Sequence, residues 1–154
     1  MDDKILLRNI CIGLIDGLII PLAAVAGLYA LSATLATIVI ACLAVSIAGA
    51  MTMSIGGFME ARKYEPDTSP SSSGLVIGLS YFAGGSTVCF PFLVNTDTTV
   101  SLQWATAVSL VLLSVAGFFE SAIHGKSGWT GAVRVVLTGA VAATAAFLIA
   151  KLFV

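Results

Sequence analysis

The sequence predicts an all-α membrane protein, a single domain over residues 1–154 with five transmembrane helices. Two observations lead to this prediction. Of the residues, 58% are hydrophobic and only 10% are charged, whereas soluble domains average about 25% charged residues. The chain also holds five stretches of about 20 mostly apolar residues, the length that crosses a bilayer. The solvent of this surface is therefore lipid, and no basic cluster is present that would bind nucleic acid.

The spans follow one another with short links. We predict them at residues 9–31, 33–59, 75–94, 100–121 and 129–153. The link between the first two is almost absent, so these spans should form a tight hairpin. The longest link is a polar, cytoplasmic loop at residues 61–74, with two prolines and four serines. Three cysteines lie within apolar runs and are expected to be small buried side chains: Cys11, Cys42 and Cys89.

The distribution of basic residues predicts the orientation. With five spans, six of them fall on one side of the membrane: Lys4, Arg8, Arg62, Lys63, Lys126 and Arg134. Only Lys151 falls on the other side. Because cytoplasmic segments carry the excess of Lys and Arg, the N-terminus should be cytoplasmic and the C-terminus outside or lumenal. An even number of spans would destroy this segregation.

Asp16 interrupts the apolar run GLIDGLIIPLAAVAG, residues 13 to 27. A carboxylate inside a membrane span costs at least a few kcal/mol, so such residues usually face a cavity or a partner. The alternative is a structural hydrogen bond or a silent, protonated acid. Pro21 cannot donate to the carbonyl of Gly17, which leaves an oxygen one turn from Asp16. Asn9 lies two turns before Asp16 on the same stripe and is expected at the mouth.

A second stripe, Gly49, Met53, Gly56 and Glu60, runs along the second span. Met53 and Asp16 each lie about seven residues inside the cytoplasmic end of a span, at a depth of about 10 Å. A carboxylate and a thioether at equal depth suit Fe²⁺ or Mn²⁺ better than Na⁺ or Mg²⁺. Glu60 would attract cations at the surface. The alternatives are a methionine that only packs and a solvated helix end.

Small residues form a possible contact face on the first span. Gly13 and Gly17 make a GxxxG pattern, which lets helix backbones approach closely in lipid, and Pro21 and Ala24 continue the face. It could serve packing within one chain or a contact between two. With five helices per chain, a pathway built by two chains is attractive.

Other polar residues are weaker candidates. Tyr81 is either a pathway residue or an interfacial aromatic. Glu120 and Arg134 lie at similar depths and are expected to pair, and His124 should be solvated in its link. We find no nucleophile with a base and no zinc spacing, so an enzyme is not expected.

Four blocks in order resemble the vacuolar iron transporter family. They are IDGLIIPLAAVAG in the first span, AGAMTMSIGGF in the second, GLSYFAGG with the later PF in the third, and the last span with Arg134 and Gly139. The resemblance covers nearly the whole chain. It implies a five-span homodimer with its pathway between the protomers. The pathway aspartate and methionine of the family match Asp16 and Met53.

The resemblance also implies a function. The family exports Fe²⁺ and often Mn²⁺ from the cytosol, into a vacuole or out of the cell, in exchange for protons. The expected partners are a second copy of the chain, divalent metal ions, protons and the lipid bilayer. No permanently bound cofactor is implied. The host membrane would be the cell (inner) membrane in a prokaryote and a vacuolar-type membrane in a eukaryote.

This sequence departs from the family pattern at several positions. Gly57 stands where the family has a glutamate, which puts proton coupling or metal recruitment in doubt, and Glu60 would replace it incompletely. The long acidic insertion of plant-type members is reduced to a loop whose acids are Glu65 and Asp67. Glu120 stands where the family pattern has a lysine in the fourth span. A non-transporting membrane subunit of the same fold is therefore the alternative, with Asp16 kept for helix packing.

Overall fold

The computed structural model describes residues 2–65 and 68–153. Within these residues the chain forms five α-helices: α1 (Asp3–Ala30), α2 (Leu35–Tyr64), α3 (Pro70–Val94), α4 (Thr98–Ile123) and α5 (Gly128–Lys151). Each helix is long and apolar enough to cross a membrane. The all-helical fold and its five candidate spans are therefore as the sequence predicted.

The loop between α2 and α3 is shorter than the sequence predicted. α2 continues to Tyr64, where Arg62 and Lys63 in its last turn favour the negative helix end. α3 begins at Pro70, in the first-turn position that proline favours. Most of the predicted loop at 61–74 is thus helical, because hydropathy marks the bilayer and not the end of a helix. Asp67, one of the two acids expected in this loop, lies outside the described residues.

Short links turn the chain between antiparallel helices. Ser32, in the link after α1, has a positive φ of 56°. The Thr34 hydroxyl accepts a hydrogen bond from the Thr37 N–H at 3.2 Å and caps α2. The Asp97 carboxylate accepts from the N–H groups of Thr99 and Val100 and caps α4. These caps satisfy helix N–H groups that have no partner within the helix.

α1 lies in the middle of the bundle and packs against all four other helices. Its closest approach is to α3, where glycines replace side chains. A Cβ on Gly13 would meet the Ile77 carbonyl oxygen, and one on Gly17 would meet the Tyr81 carbonyl oxygen. From the other helix, a Cβ on Gly84 would lie 2.9 Å from the Gly17 carbonyl carbon. Such close backbone contact is how helices associate in lipid, where burial of apolar surface gives little drive.

α3 also packs closely against α2, through another set of glycines. Gly74 lies against the Ser54 carbonyl oxygen, and Gly78 against the Ser54 hydroxyl. Further along, Gly85 lies against the Ser46 hydroxyl. A short link joins α1 and α2, as the sequence predicted. However, α2 packs more extensively on α3 than on α1. α3 therefore connects the first two helices.

The apolar core lies where α1, α2, α3 and α4 meet. Leu18, Val25, Ile38, Val88 and Leu113 are completely buried there. The three cysteines are buried and unoxidised, as the sequence predicted. Many large apolar side chains elsewhere are exposed, including Ile40, Ile47, Met51 and Ile55 on α2. This outward apolar surface is expected for helices in lipid.

The glycine contact between α1 and α3 can be tested by adding one methyl group. Gly17→Ala should lower the stability of the fold by about 1–3 kcal/mol, the usual cost of overpacking, because the new Cβ meets the backbone of Tyr81. The measurement is the thermal unfolding midpoint in detergent. Gly56→Ala is the matched control, since a Cβ there has no neighbour within 4 Å. Equal midpoints for the two variants would contradict this description of the packing.

Candidate functional site

Asp16 lies near the middle of α1 and is partly buried. Among residues 2–65 and 68–153, no hydrogen bond or ion pair reaches its carboxylate. Its neighbour Gly17 is pressed against α3. A carboxylate within a membrane span without a cation is costly. The oxygens of Asp16 are therefore available to bind a cation that the described side chains do not supply.

Tyr81 connects Asp16 to α2. It belongs to α3 and is 1% exposed. Its ring lies so close to Gly49 that a Cβ at that position would overlap the ring and the hydroxyl. The backbone of Tyr81 lies against Gly17, the residue that follows Asp16. Of the two interpretations of Tyr81, the structure therefore supports a buried position beside Asp16 and not an interfacial aromatic.

Met53 lies on the side of α2 that faces this tyrosine. Gly49 and Gly57 are one turn before and one turn after it, and residues four apart share a helix face. Gly49 lies against the Tyr81 ring, and Gly57 is buried against Ile77. Met53 itself is partly buried. The same helix carries Met51 and Met59, which are each 64% exposed. Met53 is thus the methionine of α2 that shares a helix face with the two glycines packed against α3.

Glu60 and Gly56 do not share that side of α2. Both are exposed, and no atom lies within 4 Å of a Cβ built on Gly56. The stripe predicted from the sequence therefore divides: Gly49, Met53 and Gly57 turn inward, whereas Gly56 and Glu60 turn outward. The exposure of Glu60 is compatible with both interpretations, a solvated helix end and a cation attractant at the surface.

Gly57, the position at which the family pattern has a glutamate, is closed by a neighbour. A Cβ on Gly57 would lie 2.5 Å from the Ile77 Cδ1 atom and 3.3 Å from the Gly74 Cα atom. The side chain of Ile77 thus occupies the space that a larger residue at position 57 would need. Beside Gly57, α2 and α3 are thus closely packed.

Asn9 lies two turns from Asp16 on α1, but it is completely buried and does not line an open mouth. Arg8 donates to its Oδ1 atom from Nη2 at 2.9 Å and from Nε at 3.3 Å. The same Nη2 atom pairs with Oε1 of Glu65. Sequence reasoning missed Glu65 as a partner because it placed this residue inside a polar loop. The signal that was present is an acid directly after the basic last turn of α2.

The GxxxG face of α1 is occupied within the chain. Gly13 and Gly17 lie against the backbone of α3, and Pro21 is buried 3.4 Å from a Cβ built on Gly85. Ala24 is partly buried. Of the two interpretations of this face, packing within one chain is the one that the structure has. A contact between two chains would have to use another surface.

A second polar group lies where α4 ends and α5 begins. Arg134 donates to Oε2 of Glu120 at 3.2 Å, which confirms the predicted pair. The His124 Nδ1 atom lies 2.8 Å from the Glu120 carbonyl oxygen, and its ring is near the same carboxylate. His124 is exposed, as the sequence predicted, and its ring also folds back onto the helix end. The glutamate is thus engaged on two sides.

The metal ligands of one chain are few. Within the described ranges, no group of three or more His, Cys, Asp or Glu side chains could hold a metal ion. The central region instead offers one carboxylate, one phenol and one thioether from three helices. Divalent ions such as Fe²⁺ and Mn²⁺ take more ligands than these, so backbone carbonyls, water or a second chain would have to complete a shell.

These features define an integral membrane protein: five apolar helices with a partnerless carboxylate among them. The chain belongs to the vacuolar iron transporter family, because the model described as the VIT family matches residues 7–66 and 60–151. It is also 24% identical to "Vacuolar iron transporter 1" of Oryza sativa subsp. japonica. The similarity covers 94% of this chain and 84% of the rice protein.

The matches also bear on the short loop. The alignment with the rice protein spans 211 residues, more than this whole chain of 154. The rice protein therefore has residues in the aligned region that this chain lacks. The family model matches in two parts that meet at residues 60–66, where α2 ends. This is the position at which the sequence analysis expected a missing insertion.

The contacts around Asp16 predict that its charge contributes nothing to stability. Asp16→Asn should leave the thermal unfolding midpoint unchanged or slightly higher, because no hydrogen bond or ion pair among the described residues is lost. Asn9→Ala should lower the midpoint, since Asn9 is buried and bonded to Arg8. Both are measured by scanning fluorimetry in detergent. A clear loss of stability in Asp16→Asn would instead indicate the helix-packing role.

Proposed function

We propose that the chain is a divalent metal transporter that moves Fe²⁺ or Mn²⁺ out of the cytosol in exchange for protons. The observation that supports this most directly is the Asp16 carboxylate, within a membrane span and without a hydrogen-bond or ion-pair partner among the described residues. Family membership and the similarity to a vacuolar iron transporter support the choice of cargo.

In this proposal Asp16 is the principal metal ligand and the proton-exchanging group. A proton and a metal ion compete for the same carboxylate oxygens, so arrival of one releases the other. Met53 adds a soft ligand that favours Fe²⁺ or Mn²⁺ over Mg²⁺. Tyr81, which is buried, closes the α3 side of this region. Glu60, exposed at the end of α2, raises the local cation concentration.

The proposed orientation follows from charge. Lys4 and Arg8 begin α1, Arg62 and Lys63 end α2, and basic residues also lie where α4 meets α5. The ion pair of Arg8 with Glu65 and the pair of Arg134 with Glu120 belong to this same end of the bundle. By the excess of Lys and Arg in cytoplasmic segments, we assign this end to the cytosol. Metal then enters at the end of the bundle that holds Lys4 and Arg8 and leaves on the side of Lys151.

We further propose a homodimer whose pathway lies between two chains. One chain supplies too few ligands for a closed metal shell, and Asp16 is only partly covered. A second copy would double the number of carboxylates and thioethers. The GxxxG face is already filled by α3, so the outward apolar side of α2, with Ile47, Met51 and Ile55, is the surface offered. The host membrane is a cell membrane or a vacuolar-type membrane.

The transport proposal is tested by metal uptake into proteoliposomes under an imposed proton gradient. The native chain should carry Fe²⁺ and Mn²⁺, and Asp16→Ala should carry neither, because the pathway loses its carboxylate. Metal uptake should be accompanied by proton movement in the opposite direction, because a proton and a metal ion compete for the same carboxylate. A native chain that forms the dimer but gives no flux would favour the non-transporting subunit.

The role of the thioether is tested by a pair of methionine variants. Met53→Leu should lower the rate of Fe²⁺ and Mn²⁺ uptake several-fold, because leucine keeps the volume and removes the sulfur ligand. Met51→Leu is the matched control for loss of a thioether from the same helix. Because Met51 lies on the face proposed for the contact between two chains, the dimer is checked in both variants. Uptake is measured at several metal concentrations to separate affinity from turnover. Equal effects of the two substitutions would remove Met53 from the pathway.

A further inference from the structure

One ion pair joins the start of α1 to the end of α2. The Arg8 Nη2 atom contacts Oε1 of Glu65, a residue 57 positions further along the chain. The side chain of Glu65 is 11% exposed and that of Arg8 is 25% exposed. The Glu65 N–H bonds to the Ala61 carbonyl, and the Glu65 carbonyl accepts from Thr68, both at 3.0 Å. These two bonds fix the main chain of Glu65 at the end of α2.

The guanidinium group of Arg8 contacts a carboxylate oxygen and an amide oxygen, which are also ligand types for divalent metal ions. Its Nη2 atom contacts Glu65 Oε1 and lies 2.9 Å from Asn9 Oδ1. The second oxygen of Glu65, Oε2, is buried and has no hydrogen-bond partner among the described residues. An unsatisfied buried charged oxygen is costly in a purely structural ion pair. A cation with more than one coordination position could use this oxygen together with Oε1.

The end of α2 presents its last carbonyl groups at this place, together with the basic side chains of Arg62 and Lys63 in its last turn. Glu65 is the residue that follows the last helical turn, where unpaired carbonyl groups and the helix dipole favour a positive charge. Within the part of the chain that the structure describes, Arg8 is the cation that pairs with Glu65. The guanidinium of Arg8 thus provides the positive charge that pairs directly with the Glu65 carboxylate.

The position of the pair relates it to the pathway. Arg8 and Asn9 precede Asp16 by about two turns of α1, or about 10 Å along its axis. In the proposed orientation they lie between the cytosol and Asp16. A cation bound at Glu65 and Asn9 would therefore be one step outside the central carboxylate.

We infer that Glu65 and Asn9 form an outer site for divalent cations, which the guanidinium of Arg8 occupies until an arriving cation displaces it. The inference rests on the proposed function, because it takes the cargo and the direction of approach from it. Arg8 then acts as an attached competitor that keeps the outer site closed at low metal concentration. Displacement breaks the contact between the ends of α1 and α2.

The experiment measures Mn²⁺ binding to the purified full-length chain by electron paramagnetic resonance. All variants carry Asp16→Asn, so that the central carboxylate does not contribute. Arg8→Gln removes the competing charge but keeps a hydrogen-bond donor. Its Mn²⁺ dissociation constant should fall by about tenfold, the factor that corresponds to about 1.4 kcal/mol. Arg62→Gln is the matched control, because this exposed arginine lies at the same end of the bundle and should leave the constant unchanged.

Adding Glu65→Gln to the Arg8→Gln variant should remove the gain in affinity. Unchanged Mn²⁺ affinity in Arg8→Gln, an equal gain in Arg62→Gln, or a gain that survives Glu65→Gln would each overturn the inference. If Arg8→Gln does not fold, Glu65→Gln alone decides: it should abolish the weak outer binding of the Asp16→Asn chain, and persistence of that binding overturns the inference. Failure of uptake by the native chain would overturn the proposed function while leaving this binding result readable.

Discussion

Contact between the backbones of α1 and α3 is the constraint on which the rest of the structure depends. Lipid offers apolar side chains an environment as favourable as the protein interior, so the helices must gain from close packing. Gly13, Gly17 and Gly84 allow that packing because they place no atoms between the two backbones. The glycines on the other side of α3 repeat the arrangement with α2. The order of the first three helices in the bundle follows from these two glycine contacts.

The same contact positions the candidate site. The backbone of Tyr81 is fixed against Gly17, and its ring extends to Gly49 of α2. Asp16 is the neighbour of Gly17 and Met53 is one turn from Gly49, so a single buried tyrosine relates the carboxylate to the thioether. A shift of α3 along α1 by one turn would separate these groups. The precision of the site is therefore a consequence of helix packing, and the ligands themselves contribute little to holding it.

Much of the fold could be predicted from the sequence, and the reasons for the exceptions are physical. Apolar length determined the number of spans, and similar depth predicted the pair of Glu120 with Arg134. The sequence analysis placed the ends of α2 and α3 wrongly, because helical hydrogen bonding continues beyond the apolar region. For the same reason it did not predict the ion pair of Arg8 with Glu65. Gly57 faces inward and Gly56 faces outward because of the rotation of α2 about its own axis relative to α3. A period of 3.6 residues does not determine that rotation between adjacent positions.

Because the space beside Gly57 is filled by Ile77, substitutions at these two positions can occur without strain only in one order. The Ile77 side chain lies where the Cβ and outer atoms of a larger residue at position 57 would be. A carboxylate could therefore be introduced at position 57 without strain only after residue 77 had become smaller. The reverse order would require α2 and α3 to separate. Positions 57 and 77 should thus be substituted together among related chains, as an epistatic pair that couples the chemistry of one helix to the packing of another.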